Sequence, residues 1–599
     1  MIANREPRTA NREPRRTRGP RFAPVLGPPR RLPAPVSPDA DRWLTFHGDR
    51  LLVAVVRTVT SAVRVLDVLT PVLRDDARVS LVFAYDPGSA FGEGVLAYLR
   101  ERGALVMSWE QFRASGPHLV VTATENAVLT DTGHTAPVLV LPHGVGFHKY
   151  VPDARGPGER LAGLVPRELL ATGRVRTAVS HPDQAAQLPG SAHPLLVGDP
   201  CYDSLLAAGR ASRARYREAL GVPPGRRLVL ISSTWRDESA LGQDSSLPAR
   251  LLASLPADAY AVALVTHPNV VSAHGSGQLE HVLGSARAAG LIRVPPESGW
   301  QAALLAADLL IGDHGSVTFY GAALGVPVLL GAFSEQEAVA GTPMAELGRL
   351  APRLDPYAPL RPQIEEALAA PDTDRLRKLG STALADPGHA LRRLRATAYG
   401  LMGLPEPASP APAPLAPEDP RPVPAPYLCT AFSVTTRLEN RPGSQGDASP
   451  HVRVERIPAA VATPPAPADE HHLSCPDDER DRSLRESASV LVRRTPSSGT
   501  ASAAWARGIF ADFPGAVLAA APVAPGTYRI HVRDGRTVEA AITGAGPRTA
   551  PDPGIPAAVV HACLLGGVPL EGFVTVSVAD REEDVSLRLL PGFGPLVQQ

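Results

Sequence analysis

Short apolar runs, closed by glycine, proline or a polar turn, alternate with stretches of helical period through most of the first four hundred residues. The clearest case is 304–333, LLAADLLIGDHGSVTFYGAALGVPVLLGAF. It reads as a helix end, a buried strand at 309–311, a turn Gly312-Asp313-His314-Gly315, a helix opening at Ser316 and a second apolar strand at 326–330. Alternation of this kind predicts parallel βαβ units. An open sheet built from such units has its ligand crevice at the carboxyl ends of its strands. A helix starting at Gly315 and Ser316 would turn free N–H groups and a positive dipole end toward that crevice, which suits a phosphate. An ordinary βα turn with Ser316 as N-cap is the competing reading of the same residues.

The same pattern on either side fills out two lobes. Strand-like runs at 51–58, 79–85, 104–108, 118–124 and 137–144, with helical stretches at 61–73 and 91–102, predict an open, doubly wound α/β domain. A run at 194–200 and a helix near 211–220 lead out of it. A second unit has apolar runs at 228–234, 259–268 and 291–296, separated by helical stretches at 247–255, 279–289 and 301–307. Helices at 364–369, 374–384 and 389–401 are expected to close this second lobe. The expected fold class is α/β, with Rossmann-like lobes over 42–220 and 221–404 facing across a cleft.

Beyond the lobes the pattern changes. Residues 405–426 are Pro/Ala-rich and read as a semi-rigid, extended linker. From 427 to 599, runs such as FSVTTRLE, HVRVERI and TYRIHVRD alternate at strand period, which predicts an all-β module, a sandwich, with a loose, disordered insert near 459–482. The Arg/Pro-rich residues 1–41, with ANREPR at 3–8 and again at 10–15, are expected to be a disordered tail.

Composition changes this picture in few places. Basic and acidic residues balance at 60 each, so no net charge draws the 599-residue chain to nucleic acid. Of the basic residues only Lys149 and Lys378 are lysine, which makes Lys149 notable beside a candidate site. Cys201, Cys429, Cys475 and Cys563 are widely spaced and form no CxxC pair, so a reducing compartment fits best. His471, His472 and Cys475 lack a fourth ligand, and no metal is assigned. With no apolar run long enough to span a bilayer and no basic-then-apolar leader, the expected location is cytoplasmic, peripheral contact with the inner face of the cell membrane being left open. GxxxxGK[ST] and GxSxG are both absent, which argues against P-loop and nucleophile-elbow chemistry.

The candidate chemistry shares one placement, just after a strand. His143-Gly144, Ser232-Ser233-Thr234-Trp235-Arg236-Asp237, His267-Pro268 and Asp313-His314-Gly315-Ser316 all stand there. A single histidine at a strand tip is commonly structural. Two histidines, a Ser/Thr/Arg cluster and an Asp/Ser turn in matching positions are hard to explain by packing alone.

In this order HG…K, GDPCYDSLL at 198–206, SSTWRD, VTHP and ADLLIGDHGSVTFYGAALGVPVL resemble the CDP-glycerol glycerophosphotransferase family, the polymerases and primases of wall teichoic acid and related capsule enzymes. The resemblance covers about 137–333 and implies a glycosyltransferase-B architecture, with the first lobe on the acceptor side and the second on the nucleotide side. It implies a transferase without cofactor or metal. That enzyme would move a glycerol-phosphate or related polyol-phosphate group from a CDP-activated donor to a hydroxyl of a cell-envelope polymer or lipid-linked acceptor. His143 matches the proposed general base, a task for which imidazole is suited near neutral pH. His267 matches the histidine expected at the donor diphosphate, Ser316 and Asp313 the serine and aspartate of the turn motif, and Thr234 and Arg236 the TWR segment. Gly315 would keep an N–H at the phosphate; Lys149 and His314 are secondary candidates. This chain departs from the motifs at Gly315 (for serine), His314 (for tyrosine), Cys201 (for arginine) and Ser232-Ser233 (for Ala-Pro). Two alternatives stand beside this reading: a nucleotide-sugar glycosyltransferase or UDP-sugar 2-epimerase-like enzyme, and a non-catalytic scaffold with a vestigial site.

Overall fold

The computed structural model describes residues 44–89, 92, 94–127, 129–142, 144–153, 158–369, 372–442, 448–463, 470–542 and 552–592. The N-terminal tail and His143 lie outside the described residues. The first lobe is built on a seven-stranded parallel sheet. From edge to edge it runs Val106–Met107, Val79–Tyr85, Arg50–Val56, Leu119–Thr122, Val138–Val140, Val175–Val179, Pro194–Leu196. The inner strand Arg50–Val56 is apolar on both faces because helices cover both, and Leu52 to Val56 are fully buried. The helix Val59–Val72 follows at once. Thr58 caps it, its hydroxyl accepting from Ser61 N at 3.2 Å while Ser61 Oγ accepts from Thr58 N at 3.0 Å. Ala62, Val65, Val68, Leu69 and Val72 seat the helix on the sheet, and its opposite edge near the N-terminus faces the cleft.

The second lobe holds five parallel strands in the order Ile292–Val294, Tyr260–Thr266, Arg227–Ser233, Leu309–Gly312, Val328–Leu330. The expected strand–turn–helix–strand series is there: Leu309–Gly312 leads to the helix Ser316–Leu324 and back into Val328–Leu330. One expectation is corrected. The helix Ala390–Met402 does not close the second lobe but crosses back to the first, where Leu391, Leu394, Ala398, Tyr399 and Met402 share a core with Leu52, Val65 and Leu69. An apolar stripe at helical spacing fits either lobe; the direction of the chain decided which.

Residues 405–426 run extended along both lobes and are held at several points. Arg395 Nη1 donates to Pro410 O at 2.9 Å, Tyr216 Oη to Pro417 O at 2.6 Å, and Arg287 Nη2 to Val423 O and Pro424 O at 2.7 Å each. The sandwich expected after it is instead a closed nine-stranded barrel. Strand Phe432–Pro442 pairs with Ala448–Pro458 on one side and His471–Pro476 on the other, which closes the ring. His471–Pro476 falls within the segment expected to be loose, of which 464–469 lie outside the described residues. The module is also not all-β: the helix Gly554–Gly566, buried from Gly554 to Cys563, shares one core with inward residues of the strands. Its small apolar residues carry no strand-period alternation, and the sequence reading passed over them.

Candidate active site

Strand tips of the second lobe are tied together by one carboxylate. Asp313, fully buried, follows the strand Leu309–Gly312. Its Oδ2 accepts from Thr234 N at 2.7 Å, Thr234 Oγ1 at 2.8 Å and Ala240 N at 3.1 Å, and its Oδ1 from Gly315 N at 3.0 Å. Both oxygens are taken up by these bonds, so Asp313 fixes the turn. Gly315, not Ser316, is the N-cap of the helix. A Cβ on Gly315 would stand 2.5 Å from Thr234 Cγ2 and 3.0 Å from Asp313 Oδ1, so a serine there has no room.

Ser316 opens the helix and meets the first lobe. Its Oγ accepts from Val145 N at 3.2 Å, and a Cβ on Gly144 would fall 2.3 Å from that oxygen. Gly144 is therefore required by close approach. Pro142 and Gly144, the chain neighbours of His143, line the same cavity as Ser316. The cavity, about 160 Å³, is also bordered by Thr234, His267, Gly315 and Lys149. His267 caps the helix Pro268–His274, its Nδ1 accepting from Asn269 N at 3.1 Å, which puts the ring proton on Nε2. Lys149 is half-buried; burial pushes its ammonium pKa down, while the Asp313 and Glu337 carboxylates oppose that shift.

Two candidates stand behind the cavity. Arg236, at φ 76°, pairs with Glu337 Oε1 at 3.0 Å. His314, buried, lies with Nε2 2.9 Å from Glu337 Oε2, and its ring packs edge-on against Phe333. The His314 hydrogen bond holds the Glu337 carboxyl below its ordinary range; burial opposes, and the charges of His314, Arg236 and Lys149 reinforce it. The segment around Glu337 also joins the lobes: Tyr150 N donates to Glu337 O at 2.7 Å and Val339 N to His148 O at 2.9 Å.

Sequence reasoning missed several residues here. Thr60 and Arg64, from the first helix, line the cleft. Tyr320 Oη donates to Asp199 Oδ2 at 2.6 Å, joining the helix Ser316–Leu324 to the GDPCYD turn. Trp300 stacks on Tyr320 with ring centroids 5.9 Å apart. An arginine on the covered side of an amphipathic helix was the one signal available for Arg64.

Two parallel α/β lobes with a cavity between strand tips define a two-lobed Rossmann-like protein whose cavity is bordered by a helix start. Within it, residues 187–336 match the model of the CDP-Glycerol:Poly(glycerophosphate) glycerophosphotransferase family, so this part of the chain carries a domain of that family. No curated protein matches the chain. Among solved structures, a histidine-to-alanine variant of the wall teichoic acid polymerase TagF is 13% identical over 61% of this chain and 92% of its own, with a TM-score of 0.42. A putative UDP-N-acetylglucosamine 2-epimerase from Listeria monocytogenes is 13% identical over 60% of this chain and 99% of its own, at 0.39. A glycosyltransferase from Rickettsia africae is 10% identical over 59% and 97%, at 0.34.

Proposed function

We propose that the protein transfers a glycerol-phosphate, or related polyol-phosphate, group from a CDP-activated donor to a hydroxyl of a cell-envelope polymer or lipid-linked acceptor. The observation that carries this reading is the contact of Gly144 and Val145 with Ser316, which sets the segment around Gly144 in one lobe against the helix start of the other, the latter within the 187–336 match to the glycerophosphotransferase family. The donor diphosphate lies over the N–H groups of Ser316 and Val317, with Ser316, His267 and Lys149 around it; the Gly315 N–H expected at the phosphate is held by Asp313 instead. His143 takes the proton from the acceptor hydroxyl as its oxygen bonds to phosphorus. The phosphorus–oxygen bond to CMP breaks, and the electron pair leaves with CMP, whose charge the helix start and its neighbours stabilise. Asp313 and Arg236 act as positioning residues, through Thr234 and Glu337.

The test is CMP release by purified protein given CDP-glycerol and a glycerol-phosphate-primed acceptor. His143→Ala should lower turnover by about 10²–10⁴-fold with donor binding kept; undiminished turnover would remove the base assignment. Thermal stabilisation by cytidine rather than uridine nucleotides supports the donor. Uridine preference favours the nucleotide-sugar reading, and absence of turnover with every activated donor favours the scaffold. Among the described residues no helix is long and apolar enough to cross a membrane; a lipid-linked acceptor would be met by peripheral contact.

A further inference from the structure

The first helix brings into the cleft a charged side chain that the reaction above leaves unused. Thr60 and Arg64 lie one turn apart on Val59–Val72, on one face, and both line the cavity opposite Ser316. Arg64 is 8% exposed. Its polar neighbours are the Cys201 thiol and the Tyr320 hydroxyl, with the Asp199 and Asp67 carboxylates also near enough to act on its charge, and it forms no direct ion pair among the described residues. The nearby Asp199 carboxylate is already committed. Its Oδ1 accepts from Cys201 N at 2.8 Å and Tyr202 N at 3.0 Å, and its Oδ2 from Tyr320 Oη at 2.6 Å. Thr60 Oγ1 is buried and has no hydrogen-bond partner among the described residues.

A guanidinium carries five N–H donors in a planar fork and stays charged in proteins. Enclosing one without a direct ion pair is costly, and buried hydroxyls are satisfied in nearly all proteins. Both deficits face the same space. A tetrahedral oxyanion would answer both, accepting two bonds from the fork and one from the hydroxyl. Arg64 also lines an adjoining cavity of about 470 Å³, where Arg74 and Arg102 outnumber its other charged borders, Asp67 and Glu418, once Arg64 is counted. The seat is therefore open to an anion that continues beyond one phosphate.

We propose that Thr60 and Arg64 form a phosphate seat on the first lobe, facing the Ser316 helix start, which takes a phosphate or phosphodiester group of the substrate. The inference rests on the reading of the cleft as a phosphoryl-transfer site and assigns that site a second anion contact. The phosphate belongs either to the donor or to the acceptor.

The test is calorimetric binding of inorganic pyrophosphate, CDP-glycerol and a short glycerol-phosphate oligomer to wild type, Arg64→Met, Arg64→Lys and Thr60→Val. Arg64→Met should weaken pyrophosphate binding by about tenfold or more, and Thr60→Val by a few-fold, with Arg64→Lys between wild type and Met because a point charge replaces the fork. If CDP-glycerol weakens and the oligomer does not, the seat holds the donor phosphate; the reverse assigns it to the acceptor. Equal pyrophosphate affinity in wild type and Arg64→Met, or no binding by wild type, overturns the seat. Should Arg64→Met not fold, as judged by its circular dichroism, unchanged binding by both Arg64→Lys and Thr60→Val overturns it instead. Pyrophosphate bound through Arg64 by a protein that transfers nothing from CDP-glycerol removes the transferase reading and leaves the seat; transfer by an Arg64→Met protein with wild-type anion affinity does the opposite.

Discussion

Asp313 joins the tips of two neighbouring strands through Thr234, Ala240 and Gly315, and none of these bonds reaches solvent. Asp313→Ala leaves three N–H groups and a hydroxyl without an acceptor. At about 1–3 kcal/mol for each buried unsatisfied group, partly relieved by relaxation, the expected loss is about 3 kcal/mol or more in urea denaturation. A variant of wild-type stability that loses only ligand affinity would make Asp313 a binding residue after all. Restoring the serine that the resemblance expects, by Gly315→Ser, should destabilise by about 1–3 kcal/mol, because Thr234 Cγ2 stands in the way and Asp313 locks that side chain. Thr234→Ser in the same chain should recover part of the loss. The spacing of Asp313, Gly315 and Ser316 marked this turn in the sequence. The sequence did not say which oxygens point inward, because that depends on where Thr234 and Ala240 arrive. Likewise Cys201 reads as a lost arginine, yet Arg64 from another helix stands beside its thiol.

The segment after the strand Val328–Leu330 works as a clasp between lobes, carrying Glu337 against Arg236 and His314 while its backbone bonds His148 and Tyr150. A carboxyl held below its ordinary value of 4.5 contributes stability that is complete above that value and is lost as pH falls through the depressed folded-state pKa. Urea midpoints should therefore drop as pH is lowered from 5 toward 3, and Glu337→Gln should flatten that part of the profile; an unchanged slope would remove the assignment. The extended stretch 405–426 behaves as a strap. Arg287, buried, donates to Leu291 O as well as to Val423 O and Pro424 O. Arg287→Met should open the strap to limited proteolysis while wild type resists cleavage there. Proline content announced an extended conformation, and most of the bonds that fix it to the lobes, from Tyr216 and Arg287, come from residues more than a hundred positions away.

Over the whole molecule the barrel is fastened to the second lobe rather than hung from it. Arg456 grips Asp258 with Nε at 2.8 Å and Nη2 at 2.7 Å, both side chains being buried, and Ala257 N donates to Arg456 O at 2.8 Å. Breaking such a pair from one side strands a buried charge and costs about 3–5 kcal/mol. Arg456→Met should split calorimetric unfolding of lobe and barrel into separate transitions, and adding Asp258→Leu should bring them back together; a single unaltered transition in Arg456→Met would show that this pair is not what couples the two modules. Local pattern by itself determined the strands, the helices and the two parallel sheets, because period and glycine placement act within a few residues. It also marked the histidine, serine and threonine positions at the strand tips. Only the tertiary structure decided that Ala390–Met402 returns to the first lobe, that His471–Pro476 closes a barrel, and that Arg64 and Thr60 face Ser316. Those outcomes turn on pairings between distant segments, where many partners satisfy the same local pattern and burial selects among them.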